Sequence, residues 1–119
     1  MPLRADETGL LRLDWEPLLI SLLARDRPAA ERAAAFHATL AASIVTIALQ
    51  ERRASGVERV ALTGGVFQNA RLTELAQQGL TAAGFRMSLS ERLPCNDGGL
   101  SYGQIVELAG RRQRCGASC

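Results

Sequence analysis

Two glycine pairs stand where ligand chemistry is easiest to build. Gly64-Gly65 follows the apolar run Val60-Ala61-Leu62 and precedes Asn69, after which a helical pattern begins. Gly98-Gly99 follows Asn96-Asp97 and opens another helical stretch. Glycine has no Cβ, so a ligand can approach the backbone at such a turn. The first N–H groups of a helix lack partners within it and favour an anion or a polar edge. The two turns are expected to face one site. Asn69 either caps the helix after it or bonds a ligand hydroxyl or base edge. Asp97 has a similar choice. It is an N-cap, or it is a metal- or phosphate-site carboxylate at the end of a strand, where open α/β sheets place ligands. Neither turn reads G-x-G-x-x-G or carries G-K-[ST], which excludes a dinucleotide fingerprint and a P-loop.

The remaining candidates are fewer. His37, the one histidine, lies on the flank of an apolar stripe beside Ala33, Leu40 and Ile44, with no partner near it in sequence. A structural role at the edge of the core is favoured over chemistry. The cysteines are Cys95, Cys115 and Cys119, the last two spaced C-x-x-x-C at the end of the chain. A zinc site needs about four ligands, so reduced thiols on a frayed tail are the simpler reading.

Composition narrows the class. The 119 residues suffice for one domain with a single core. Hydrophobic residues are 47% and charged residues 22%, so the chain should fold. A net charge of +2 and aromatics at 4% give no case for nucleic acid. All 14 basic residues are Arg, which we attribute to genomic base composition. Met1-Pro2-Leu3-Arg4 leads into polar residues, no apolar run approaches the ~20 residues of a membrane span, and a cytoplasmic protein without membrane contact is expected.

The elements that must position these residues follow from periodicity. Residues 1–13 read as a polar lead-in. Asp14 suits an N-cap, and Trp15, Leu18, Leu19, Leu22 and Leu23 define one helical face ending near Arg25. A second, alanine-rich helix runs from Pro28 to Ala54, with Phe36, Leu40, Ile44 and Ile47 on one face and Ser55-Gly56 as its C-cap. Val57 to Thr63 is a strand whose continuous apolar run suits a parallel sheet covered on both faces. Leu72, Leu75, Ala76, Gly79, Leu80 and Ala83 give the cleanest helical face, stopped by Gly84. Phe85 to Ser90 alternates as a second strand, so a parallel crossover is expected. A last helix starts at about Gly98, carries Tyr102, Ile105, Val106 and Ala109, and ends near Gly110 or Arg112. The fold class is α/β, in the order α-α-β-α-β-α with parallel strands. Two strands make a thin sheet, so the chain reads as part of a larger α/β domain or as one that needs a partner.

Several motifs in order then carry a resemblance. Thr63-Gly64-Gly65-Val66-Phe67-Gln68-Asn69, Ala83-Gly84-Phe85 and Pro94-Cys95-Asn96-Asp97-Gly98-Gly99-Leu100-Ser101-Tyr102-Gly103-Gln104 resemble the C-terminal end of the HypF carbamoyltransferases of [NiFe]-hydrogenase maturation. Asp14-Trp15-Glu16-Pro17-Leu18-Leu19 and Phe36-His37-Ala38-Thr39-Leu40 fit the same pattern, and the likeness spans about residues 10–110. The resemblance implies a partial ASKHA (actin and sugar-kinase-like) domain, shared with the universal tRNA threonylcarbamoyltransferases. The Phe-Gln-Asn turn and the Asn-Asp-Gly-Gly ending favour HypF over the tRNA branch, which stays as a weaker alternative.

The resemblance also implies the chemistry. HypF-like proteins make carbamoyl adenylate from carbamoyl phosphate and ATP and transfer the carbamoyl group to the C-terminal cysteine of HypE. That group becomes the cyanide ligand of the hydrogenase iron. By motif, Gly64, Gly65 and Asn69 line the nucleotide, ATP or carbamoyl adenylate. Asp97 is a ligand of a divalent metal, iron or zinc. No catalytic residue is assigned. Residues 14–112 correspond to the C-terminal half of the transferase domain, and 113–119 to a tail. Cys95 departs from the family, which has proline there. The 119 residues contain no H-x-x-x-H for the histidine pair that completes the family's metal site. The expected partners are a HypE-like acceptor and the upstream HypF portion, or a second copy through self-association. No transfer is expected from the chain alone. A non-catalytic remnant or interaction module is the alternative.

Overall fold

The computed structural model describes residues 1–7, 10–90 and 93–116. Two short strands, β1 (Leu3–Ala5) and β2 (Leu11–Leu13), form an antiparallel hairpin with Leu3 opposite Leu13. The stretch read as a polar lead-in thus carries a hairpin that the periodicity did not show. Its strands have three residues each, below the four or so at which alternation becomes legible. Asp6 closes the loop: its carboxylate accepts from Leu10 N at 3.0 Å and from Arg12 Nε at 2.8 Å.

Helix α1 (Glu16–Leu23) follows, with Pro17 in its first turn. The capping position is Trp15, not Asp14, yet Asp14 Oδ1 still accepts the Glu16 N–H at 3.1 Å from one residue further out. Of the predicted apolar face only Leu18 is buried, while Trp15, Leu19 and Leu23 are exposed.

The long helix α2 (Ala29–Ser55) ends on Gly56, whose φ of 73° and N–H bond to the Arg52 carbonyl make a left-handed C-cap. Its buried residues are Ala41, Ser43 and Ala48, with Leu40, Ile44, Val45 and Leu49 partly covered. Ile47, expected inside, is exposed. The small residues turn inward because α3 (Ala70–Ala82) packs closely on them. A Cβ built at Gly79 would stand 2.8 Å from Val45 Cγ2. Contrary to the expectation above, α2 is also long and apolar enough to cross a membrane by length and composition, its most apolar 18-residue stretch having a mean hydropathy of 1.5. Residues 33–50 are rich in alanine and hold no Asp, Glu or Arg.

Strands β3 (Arg59–Leu62) and β4 (Arg86–Leu89) pair in parallel through α3, with Val60 opposite Met87 and Leu62 opposite Leu89. These four pack against the core formed by Leu72, Ala76, Leu80 and Phe85. Arg59, Ala61, Arg86 and Ser88 lie on the other face and are exposed. The run Val60-Ala61-Leu62 is therefore covered on one face among the described residues, not both. The α3 face follows the predicted positions, with Leu72, Ala76 and Leu80 fully buried.

Helix α4 (Leu100–Gly116) extends beyond its predicted end at Gly110 or Arg112. Its apolar residues Leu100, Tyr102, Ile105, Val106 and Leu108 are all exposed. The molecule measures 68 × 33 × 27 Å with a radius of gyration of 18.1 Å, against about 13.5 Å for a compact chain of this length. Cys119 lies outside the described residues, and Cys115 lies in α4 with no described side chain.

Candidate functional site

The two glycine turns lie side by side. Gly64 takes φ 103° and ψ 153°, a region that side chains rarely enter, and its N–H donates to the Cys95 carbonyl across 2.6 Å. Nothing stands within 4 Å of where its Cβ would be, so conformation rather than crowding requires glycine there. Gly65 faces Asn96, whose Cβ is 3.7 Å from the position a Cβ would take, an ordinary contact.

A 3-10 turn, Gly65–Gln68, separates the strand from α3. Phe67 pins this turn by packing on the core, and the Thr73 hydroxyl donates to its carbonyl at 2.9 Å. Asn69 then caps α3: its Oδ1 accepts the Leu72 N–H at 3.0 Å. The capping alternative for Asn69 is realised, and its side chain has a second partner as well. Its Nδ2 lies 3.0 Å from His37 Nε2, and His37 Nδ1 lies 2.7 Å from the Ala33 carbonyl. His37 also meets Phe36 edge to face at 5.5 Å. Sequence spacing concealed this pair because the two residues are 32 positions apart.

The second turn differs from its expected cap. Asn96, not Asp97, accepts from Gly98 N at 3.0 Å and caps a single 3-10 turn, Asp97–Gly99, which leads into α4. Gly99 has a steric reason to be glycine, since a Cβ would fall 2.7 Å from the Pro94 carbonyl oxygen. With Asn96 doing the capping, the exposed Asp97 carboxylate is left without a hydrogen bond or ion pair among the described residues.

Between the turns and α4, along that helix as far as Arg111, lies a cavity of about 730 Å³. Its wall includes Thr63, Gly64, Cys95, Asn96, Asp97 and Tyr102. It unites Gly64 with Asp97. Gly65 and Asn69 are not among its lining residues; Gly65 stands beside Asn96 of the wall, and Asn69 follows at the far end of the 3-10 turn. The polar side chains Thr63 and Asn96, not singled out from the sequence as ligand contacts, belong to this wall.

The donor set does not fit a complete metal site. No three of His, Cys, Asp and Glu cluster among the described residues. Asp97 supplies one free carboxylate, and a divalent ion with about four ligands needs the rest from elsewhere. The turns offer close approach rather than a set of free donors: the N–H groups of Gly64, Gly98 and Gly99 already bond to the Cys95 carbonyl, Asn96 Oδ1 and the Asn96 carbonyl.

Comparison with known proteins agrees with the motif reading. Residues 1–104 match the family model described as carbamoyltransferase, Kae1-like domain, second subdomain. Among curated proteins, Carbamoyltransferase HypF of Synechocystis sp. is 38% identical over 104 residues, covering 87% of this chain and 13% of that protein. Carbamoyltransferase HypF of Rhodobacter capsulatus is 41% identical over 105 residues, covering 83% of this chain and 13% of that protein. A Carbamoyltransferase HypF homolog of Cupriavidus necator is 41% identical over 104 residues, covering 83% of this chain and 26% of that protein. The chain thus spans a small part of the relatives it matches. No solved structure matches it significantly.

Proposed function

The chain belongs to the HypF carbamoyltransferase family, as the second subdomain of the Kae1-like domain, and from this premise we propose that it forms one wall of the carbamoyl-transfer site. The reaction joins a carbamoyl group, activated as carbamoyl adenylate from carbamoyl phosphate and ATP, to the C-terminal cysteine of a HypE-like acceptor. The thiol sulfur bonds to the carbamoyl carbon, the thiol proton is lost, and AMP leaves. The product serves cyanide-ligand synthesis in hydrogenase maturation. An ASKHA-type architecture completed by the upstream portion is part of this proposal.

One observation carries it: the Gly64–Cys95 bond brings two Cβ-free turns to one cavity that also holds an unpaired carboxylate. In this reading Gly64 and Gly65 let the nucleotide phosphate approach the backbone. Asn69 offers its carboxamide to the nucleotide. Asp97 contributes one ligand to a divalent cation whose other ligands lie outside this chain. The test is complementation. Mixed with the upstream portion of a HypF-type enzyme, the chain should restore carbamoyl transfer, and Asp97→Ala should abolish it. Full transfer by Asp97→Ala would remove Asp97 from the site.

A second reading is favoured by the exposed apolar residues of α1 and α4, notably Leu23 at 77% and Ile105 at 66% exposure. Surfaces of this kind mark interaction sites. The chain would then act as an interaction module. Self-association by analytical ultracentrifugation, with no heat of ATP binding, would support it over transfer.

A further inference from the structure

The relay from Ala33 through His37 to Asn69 has one consistent assignment of protons. The Ala33 carbonyl can only accept, so the His37 Nδ1 at 2.7 Å carries the hydrogen. In the neutral ring Nε2 is then the acceptor, and it takes a hydrogen from Asn69 Nδ2 at 3.0 Å. Asn69 Oδ1 is left to accept from Leu72 N at 3.0 Å. Flipping the carboxamide would set Nδ2 against the Leu72 N–H and Oδ1 against a lone pair on Nε2. Both bonds would be lost together.

We infer that His37 is a positioning residue for the site, locking the Asn69 carboxamide in one orientation so that one Nδ2 hydrogen and one Oδ1 lone pair remain to meet the ligand. This rests on the reading of Asn69 as a nucleotide contact. Helix capping alone holds only the Oδ1 side. The imidazole holds the other side, from a helix 32 residues earlier, and links the register of α2 to the geometry of the turn. The ligand atom met by the free Nδ2 hydrogen must be an acceptor, such as a ribose oxygen or a purine nitrogen.

The test uses the transfer-competent enzyme assembled from this chain and the upstream portion. The variants are His37→Ala, His37→Gln, Asn69→Ala and the double variant His37→Ala/Asn69→Ala. His37→Ala and Asn69→Ala should each raise the KM for ATP by roughly three- to tenfold, the loss expected for one hydrogen bond, with kcat little changed. The double variant should be no worse than the poorer single one, since both remove the same contact. His37→Gln, whose side-chain oxygen can accept from Nδ2, should recover much of the loss. A normal KM in His37→Ala beside a raised KM in Asn69→Ala would overturn the positioning role and leave the nucleotide contact standing. A normal KM in Asn69→Ala would overturn both. Should His37→Ala fail to fold, nitrogen-15 NMR of the wild-type chain decides. A coupling across the hydrogen bond between Asn69 Nδ2 and His37 Nε2, with His37 in its Nδ1–H form, is expected. The opposite tautomer would sink the inference.

Discussion

The Gly64 amide and the Cys95 carbonyl, 2.6 Å apart, join the end of β3 to the loop before α4 by a backbone bond. No side chain takes part, so substitutions at Cys95 leave this tie available, whereas changes in the Gly64 backbone do not.

Gly64→Ala tests that dependence. A φ of 103° is strained for alanine, although the space is open. A loss of about 1–3 kcal/mol is expected in urea unfolding. If the midpoint stays at the wild-type value, the turn can relax without that dihedral.

Gly79→Ala sets two effects against each other. Alanine favours a helix over glycine by about 0.8–1 kcal/mol, but its Cβ would lie 2.8 Å from Val45 Cγ2. Val45 is β-branched and stiff in a helix, and overpacking costs about 1–3 kcal/mol. The variant should be less stable, and adding Val45→Ala should recover part of the loss. A strictly additive double variant would show that α2 and α3 do not press on each other here.

Arg52→Lys should weaken the joint between α2 and the turn from α3 to β4. The Arg52 guanidinium lies 3.7 Å above the Phe85 ring and donates to the Ala83 carbonyl at 2.6 Å. Lysine keeps the charge but loses the planar fork that makes both contacts at once. A loss of about 1 kcal/mol is expected. Thermal unfolding unchanged from wild type would count against this joint.

Asp97→Asn should leave stability unchanged, since this carboxylate makes no hydrogen bond or ion pair among the described residues. Surface changes of this kind fall within about 0.5 kcal/mol. A clear drop in the unfolding midpoint would mean that Asp97 has a structural duty. Loss of transfer with unchanged stability would support its place in the site.

What was readable from the sequence depended on the range of the interactions. The α3 stripe and the Gly56 C-cap are local, and both appear where periodicity and helix-stop chemistry put them. On α2, Leu40 and Ile44 of the predicted stripe do pack against the core, but large residues alone do not define its buried side. Packing against α3 turned Ala41 and Ala48 inward and left Ile47 out. The hairpin was hidden by strands too short to show a period. At the site, the glycine turns were visible as motifs, but their contact through Gly64 and Cys95 depends on how the chain returns through α3 and β4. The His37–Asn69 pair was invisible for the same reason. Neither residue has a local signal that names the other.

Among the described residues the parallel pair β3 and β4 forms a sheet of two strands, so each is bonded to another strand on one side only. Each outer edge is a row of backbone donors and acceptors already spaced to receive another strand. A strand joining either edge would inherit the level set by Leu62 and Leu89 and would need apolar residues on the same side. The chain therefore carries a backbone template for growth of its sheet. Left unoccupied at high concentration, the same edges are where aggregation would begin.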